Sequence, residues 1–187
     1  MNKRSFLSAG LLAAFAAACT TTSTTSGDPA AKRRSIDAEV DSALSRLYAQ
    51  VPGSREMTSK AKGVLVFPSV VSAGFVVGGS YGQGALRSGN KTDGYYSTTA
   101  ASAGLLAGAE SKALYLLFMN QQALDKFRAS KGWTAGADAS VTFLKVGAAA
   151  GVDTQTAQQP IVGYALSNAG LMANLSIDGT KINKLDL

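Results

Sequence analysis

Residues 74–89 read GFVVGGSYGQGALRSG, with six glycines in sixteen positions and two aromatic rings among them. Such a stretch is either a loop that cradles a phosphate or a pair of strands whose surroundings demand small side chains. A Walker loop needs Gly-Lys-Ser/Thr opening a helix, and the chain contains no Gly-Lys pair. A dinucleotide loop reads Gly-x-Gly-x-x-Gly, whereas Gly79-Ser80-Tyr81-Gly82-Gln83-Gly84 has the reverse spacing. Ala85-Leu86-Arg87 then runs into a turn at Ser88-Gly89-Asn90 rather than into a helix. The stretch is predicted to be two strands, about 73–79 and 81–87, with glycines where backbones crowd or bend. A helix opening at Gly84 would restore the phosphate reading.

The flanks extend this β texture. From Gly63 onward lie seventeen of the twenty glycines. Val64-Leu65-Val66-Phe67 is an apolar run ended by Pro68, as expected of a buried strand. Lys112 to Met119 (KALYLLFM) is apolar on both faces apart from Lys112, which places it between a sheet and covering helices. Residues 134–143 alternate, with Ala135, Ala137, Ala139, Val141 and Phe143 on one side. Leu171, Ala173, Leu175 and Ile177 alternate likewise, and Asp178-Gly179 supplies a hairpin turn.

Three helices interrupt this pattern. Ile36, Val40, Ala43, Leu44, Leu47 and Val51 make one apolar stripe at helical spacing. Ser35 is the expected N-cap, Asp37 and Glu39 fall in the first turn, and Pro52-Gly53 ends the helix. The stripe is expected to cover the domain core; the alternative is a membrane-binding face. A short helix is expected over 54–61, and another over about 120–130, capped by Asn120 with Leu124 and Phe127 on one face. The fold class is therefore mainly β (α+β), an antiparallel β-barrel-like core with about three helices on its surface. A domain of about 150 residues buries enough surface to stand without disulfides.

Few residues offer catalytic chemistry. The chain has no histidine, which removes Ser-His and Cys-His pairs and histidine metal sites. Its twelve carboxylates are scattered. Glu110 is either a buried functional carboxylate or, more in keeping with its neighbours, the mark of a turn between strands. Asp138 is expected on the solvated face of its strand. Neither enzymatic activity, a metal nor a cofactor is expected.

The N-terminus carries its own message. Lys3 and Arg4 precede an uncharged apolar run, Ser5 to Ala18, of fourteen residues. That is short for a membrane span, which takes about 20, and suits a signal-peptide core. Ala16-Ala17-Ala18-Cys19 resembles the lipobox of bacterial lipoproteins, with Ala16 where that family usually has Leu. The resemblance implies that residues 1–18 are removed and that Cys19 is acylated as the lipid attachment site. It also implies localisation in the cell envelope, lipid-anchored, in the outer membrane of a Gram-negative bacterium, since Thr20 rather than Asp follows. An ordinary secretory signal cut near a cysteine is the alternative. Residues 19–33, rich in Thr and Ser and running into the basic Lys32-Arg33-Arg34, are expected to be a disordered tether. Without Lys3 and Arg4 the chain keeps 16 basic and 12 acidic side chains, a net +4 that favours anionic lipid surfaces without demanding nucleic acid.

The order of motifs resembles the SYLF domain. Ala61-Lys62-Gly63-Val64-Leu65-Val66-Phe67-Pro68 is followed by Gly74-Phe75-Val76-Val77-Gly78-Gly79, Gly82 and Gly84. Gly94-Tyr95-Tyr96-Ser97, Gly104, Gly108 and Gly136-Ala137-Asp138-Ala139-Ser140 come next, and Tyr164 to Leu171 (YALSNAGL) closes the series. The resemblance covers about 58–182 of a domain spanning 34–187. Tyr96 stands where the family commonly has Trp, and Thr98-Thr99 where Pro is usual. The resemblance implies binding of anionic phospholipid, phosphoinositide-type, headgroups through a basic N-terminal segment; the family's fungal actin partners have no counterpart outside a bacterial cell. The residues able to fill that role are Lys32, Arg33, Arg34, Arg55, Lys60 and Lys62. The competing reading is a structural cell-envelope lipoprotein that acts through protein contacts.

Overall fold

The glycine stretch lies in a β-hairpin. The computed structural model describes residues 28–74, 77–103, 108–144, 159–168, 170–172 and 175–187. Strand β1 (Gly63–Gly74) pairs antiparallel with β2 (Val77–Ser88), from Val64 opposite Arg87 to Gly74 opposite Gly78. The two strands thus meet across residues 75–76, rather than breaking at Ser80 as the sequence suggested, and β2 continues unbroken through Gly84. A Cβ on Gly84 would lie 1.9 Å from the Val66 carbonyl oxygen, so this position admits no side chain. The crowding has a local cause. Pairing slips between Val66 and Ser69 against β2, and between Phe67 and Val70 against β4 (Gly108–Phe118). Pro68 sits in this bulge, which is why it does not end β1: a bulged residue need not donate to the ladder.

β3 (Lys91–Ala103) completes the meander. Sheet order is β5-β9-β3-β2-β1-β4-β7-β6, with β5 (Trp133–Thr134), β6 (Thr142–Phe143), β7 (Ile161–Ser167) and β9 (Lys181–Leu185); β8 (Gly170–Leu171) pairs β7. The sheet curls into an open half-barrel whose outermost strands do not pair with each other, so the expected barrel-like core does not close. Among the described residues the named strands pair antiparallel except β6 with β7, and an isolated bridge joins Ala135 and Ala139 in parallel.

Both faces of the sheet are buried over its central part. One packs Val64, Val66, Tyr115, Leu117 and Tyr164 under α1 (Pro29–Gln50), through Ile36, Val40, Ala43 and Leu47. The expected helical stripe therefore belongs to the core and is not free for a membrane. The other face packs Leu65, Phe67, Leu114, Leu116 and Phe118 against Leu124 and Phe127 of α3 (Gln121–Ala129) and against Trp133. The Phe127 ring lies 5.0, 4.9 and 5.8 Å from those of Tyr96, Phe118 and Trp133. This double burial explains why KALYLLFM is apolar on both faces after Lys112.

Helix α2 (Ser54–Lys60) and α3 form where expected, and Asn120 caps α3 by accepting from the Ala123 amide at 2.8 Å. Helix α1 begins earlier than expected. Its N-cap is Asp28, which accepts from the Ala30 amide at 3.0 Å, and Pro29 takes the first helical position. Proline there loses no hydrogen bond and brings a helical φ, while Ala, Lys and Arg that follow propagate well. Residues 29–33 thus extend the helix instead of the tether, and Asp37 and Glu39 lie beyond its first turn.

Two predicted strands are much shorter. Within 134–143, Gly136 (φ +85°) turns the chain, and the Asp138 carboxylate accepts from the Thr134 amide at 2.6 Å. Ala, Gly, Asp and Ser alternate here without the bulky side chains that hold a strand. Of 171–178 only Leu171 is strand; 175–177 are not, and 173–174 lie outside the described residues. Asp178-Gly179 does turn the chain, with Gly179 at φ +80°, leading into β9. Residues 1–18, Cys19 and the tether up to Gly27 also lie outside the described residues.

Candidate functional site

The six basic residues fall into two groups at opposite ends of α1. Lys32, Arg33 and Arg34 occupy its first two turns, whereas Arg55 and Lys60 stand on α2 and Lys62 immediately precedes β1. At 1.5 Å per residue, the helix holds the groups roughly 25 Å apart. They do not form one pocket. Arg33 is partly buried and donates to the backbone carbonyl of Leu187. Arg34 and Lys60 pair with Asp28 at 3.9 Å and Glu56 at 2.6 Å, both at the exposed surface. The hydrogen bond from Lys60, then its charge, lowers the Glu56 carboxyl below the usual carboxylate range. Such surface pairs contribute little, so either cation can turn to another anion at small cost. Arg55 lies over the Tyr48 ring at 4.4 Å. Lys32 and Lys62 have no ion pair among the described residues.

Arg87 is a residue that the sequence reading passed over. It ends the glycine stretch and, on β2, reaches Asp41 at 2.7 Å and Asp37 at 3.4 Å, both on α1. Asp37 also accepts from Thr92 at 2.7 Å and from Tyr95 at 2.8 Å. Burial and then this bond raise the Tyr95 hydroxyl above its ordinary value. The cluster fastens α1 across β2 and β3. The visible signal was a single charge after 24 uncharged residues, Gly63 to Leu86. Arg87 also lines, with Arg55, Tyr48, Thr58 and Asn90, an open cleft of about 590 Å³ between the helices and the sheet. Two arginines and neutral donors meet there, with Asp41 as the opposing charge. Arg87 meets both carboxylates through Nη2, while its buried Nε has no hydrogen-bond partner among the described residues, and Arg55 stands exposed on the other side of the cleft.

A second open cleft, of about 530 Å³, lies at the start of α1, where Asp28, Lys32 and Glu39 face Val71, Tyr81 and Gln83 of the hairpin. Val71, Val77 and Tyr81 are the large apolar side chains left exposed among the described residues, at 48%, 75% and 50%.

The two carboxylates singled out in the sequence are unremarkable in place. Glu110 is exposed within β4, opposite Ser72, neither buried nor in a turn. Asp138 belongs to the turn described above, not to a strand face. Among the described residues no group of three acidic or cysteine side chains converges as a metal site.

Residues 99–186 match the family model described as Ysc84, Las17-binding protein actin regulator, a match consistent with the SYLF resemblance of the sequence motifs. The match takes in the motifs at 136–140 and 164–171. Those at 61–68, 74–84 and 94–97 precede it and lie in β1, β2 and β3 of the same sheet. No curated protein matches the chain.

Proposed function

We propose, from the match of residues 99–186 to this family model, that the chain is a lipid-anchored envelope protein that docks weakly on anionic, phosphoinositide-type phospholipid headgroups. Cys19 carries the anchor, the signal segment 1–18 is removed, and the outer membrane of a Gram-negative bacterium is the location. The observation that supports it most is the exposure of Lys32 and Arg34 on α1, Arg55 and Lys60 on α2, and Lys62 just before β1. Each Lys or Arg near an anionic surface contributes about 1 kcal/mol, and exposed charges are screened over about 8 Å at physiological salt. Arg33 contributes less, since Leu187 already holds its guanidinium. The domain binds rather than catalyses.

Vesicle sedimentation of the unacylated chain (Cys19→Ser, residues 19–187) tests the lipid reading. Binding to vesicles with phosphoinositide or phosphatidylglycerol should exceed binding to neutral ones and fall as salt rises to about 0.5 M. Charge reversal at Arg55, Lys60 and Lys62 should weaken it more than reversal at Lys181 and Lys184. Equal binding to neutral vesicles would remove the headgroup site. No binding to either would leave a structural lipoprotein with a protein partner, the reading that the family description's protein-binding title favours. Palmitate labelling that survives Cys19→Ser would remove the anchor.

A further inference from the structure

We infer that the outer end of the β1–β3 sheet is a membrane-contacting face, resting against the bilayer to which Cys19 tethers the chain; this rests on the lipid-anchored reading above. Register assigns the face. Val71 is opposite Tyr81, Ala73 opposite Gly79, Tyr81 opposite Thr99 and Gly79 opposite Ala101. Paired residues and those two apart along a strand share a side, so Val71, Ala73, Val77, Tyr81, Thr99 and Ala101 lie together. None is charged, and the three largest, Val71, Val77 and Tyr81, are exposed at 48%, 75% and 50%. The reverse side carries Ser72, Ser80 and Glu110. A pleated extension with one apolar and one polar side suits a boundary between hydrocarbon and water.

Charge and position select a bilayer over other apolar partners. No Asp, Glu, Lys or Arg occurs from Gly63 to Leu86 or from Gly94 to Ala109, the segments that build these strands. The face is also the one beside which α1 starts: Asp28 and Lys32 line the same cleft as Val71 and Tyr81. Eight residues separate Asp28 from Cys19, a span of at most about 30 Å. An anchor at Cys19 therefore delivers this side of the domain to the membrane first. Tyr81 presents an apolar ring with a hydroxyl accepting from Gln83 at 2.5 Å, the character of an interfacial aromatic. Lys32, at the rim of the cleft, sits where a headgroup phosphate would be.

Tryptophan quenching by brominated acyl chains tests this on the full acylated chain in phosphatidylcholine–phosphatidylglycerol vesicles. Val77→Trp, or Val71→Trp as a second position, should lose about half or more of its added fluorescence to the brominated lipid. Gln122→Trp, exposed on α3 against the opposite face of the sheet, should lose almost none, and the native Trp133, 3% exposed, provides the constant background. Exposure of Val71 and Val77 leaves both variants free to fold. Flotation with vesicles but no quenching at either apical position overturns the face and leaves the lipid-anchored reading standing. Failure to float overturns that reading and this one with it. Self-association that Val77→Asp abolishes, with no vesicle quenching, assigns the face to a second copy and overturns the bilayer.

Discussion

Within β1, Gly63 to Phe67 are buried on both sides between helices, while Val71 and Ala73 are exposed only a few residues further on. The backbone ladder continues across the divide, pairing Ser72 with Glu110 and with Ser80 as regularly as Leu65 with Leu116 and Leu86. The inner end is held by packing and the outer end by hydrogen bonds among small residues. Stability is thus concentrated where the strands are covered, and the uncovered end can vary in side chain without loosening the domain. That separation is a division of labour, and it can be attacked by experiment.

The largest contrast lies between two glycines of one strand. Gly84→Ala puts a Cβ 1.9 Å from the Val66 carbonyl and must drive β1 and β2 apart, whereas at Gly79 the nearest heavy atom is 3.6 Å away. Gly84→Ala should cost about 4 kcal/mol or prevent folding, and Gly79→Ala should stay within about 0.5 kcal/mol. Urea midpoints measure both; similar losses would mean that the outer end is as tightly built as the inner. Truncation repeats the contrast more gently. Leu47→Ala, at a site 0% exposed, should cost about 3 kcal/mol, and Val77→Ala, at 75%, about 0.5 kcal/mol or less.

Alkali should reach the covered end through Tyr164, whose hydroxyl burial pushes up to about 12. Its unfolded counterpart ionises near about 10, so the neutral form is favoured by folding. The contribution is complete below pH about 10 and is lost as pH rises through about 12, to the extent of about 2 to 3 kcal/mol. Tyr164→Phe should flatten stability in that window, measured by denaturant midpoints in alkaline buffers; an unchanged slope would locate the sensitivity elsewhere. The smallest effect is expected from Glu56→Gln, which releases Lys60 from an exposed pair. Stability should move by no more than about 0.5 kcal/mol, while binding to anionic vesicles rises.

Most of the covered end was legible in the sequence, because burial leaves periodic traces. The stripe from Ile36 to Val51, the Asn120 cap with Leu124 and Phe127, and the doubly apolar KALYLLFM all correspond to observed elements. Three features escaped for definable reasons. Pro68 reads as a stop because a single chain does not reveal that two neighbours slip register around it. GADAS reads as a strand because a turn built on Gly136 and Asp138 leaves the same alternation. Arg87 stands out in sequence only as a lone charge, and its partners do not show, since Asp37 and Asp41 lie about fifty residues earlier. For the candidate site, residue types were legible and grouping was not: the length of α1, visible only once its start was placed, divides the basic residues in two.

The position of that start bears on how weak a headgroup contact can be and still matter. With Asp28 fixed as the N-cap, only nine residues lie between the helix and Cys19. If Cys19 carries the proposed anchor, a domain confined so close to it meets the lipid surface at an effective concentration in the millimolar range. An intrinsic affinity of about 1 mM, some 4 kcal/mol, would then suffice for half-occupancy. Lengthening the segment between Cys19 and Asp28 should therefore erode membrane contact even though every contacting residue remains in place.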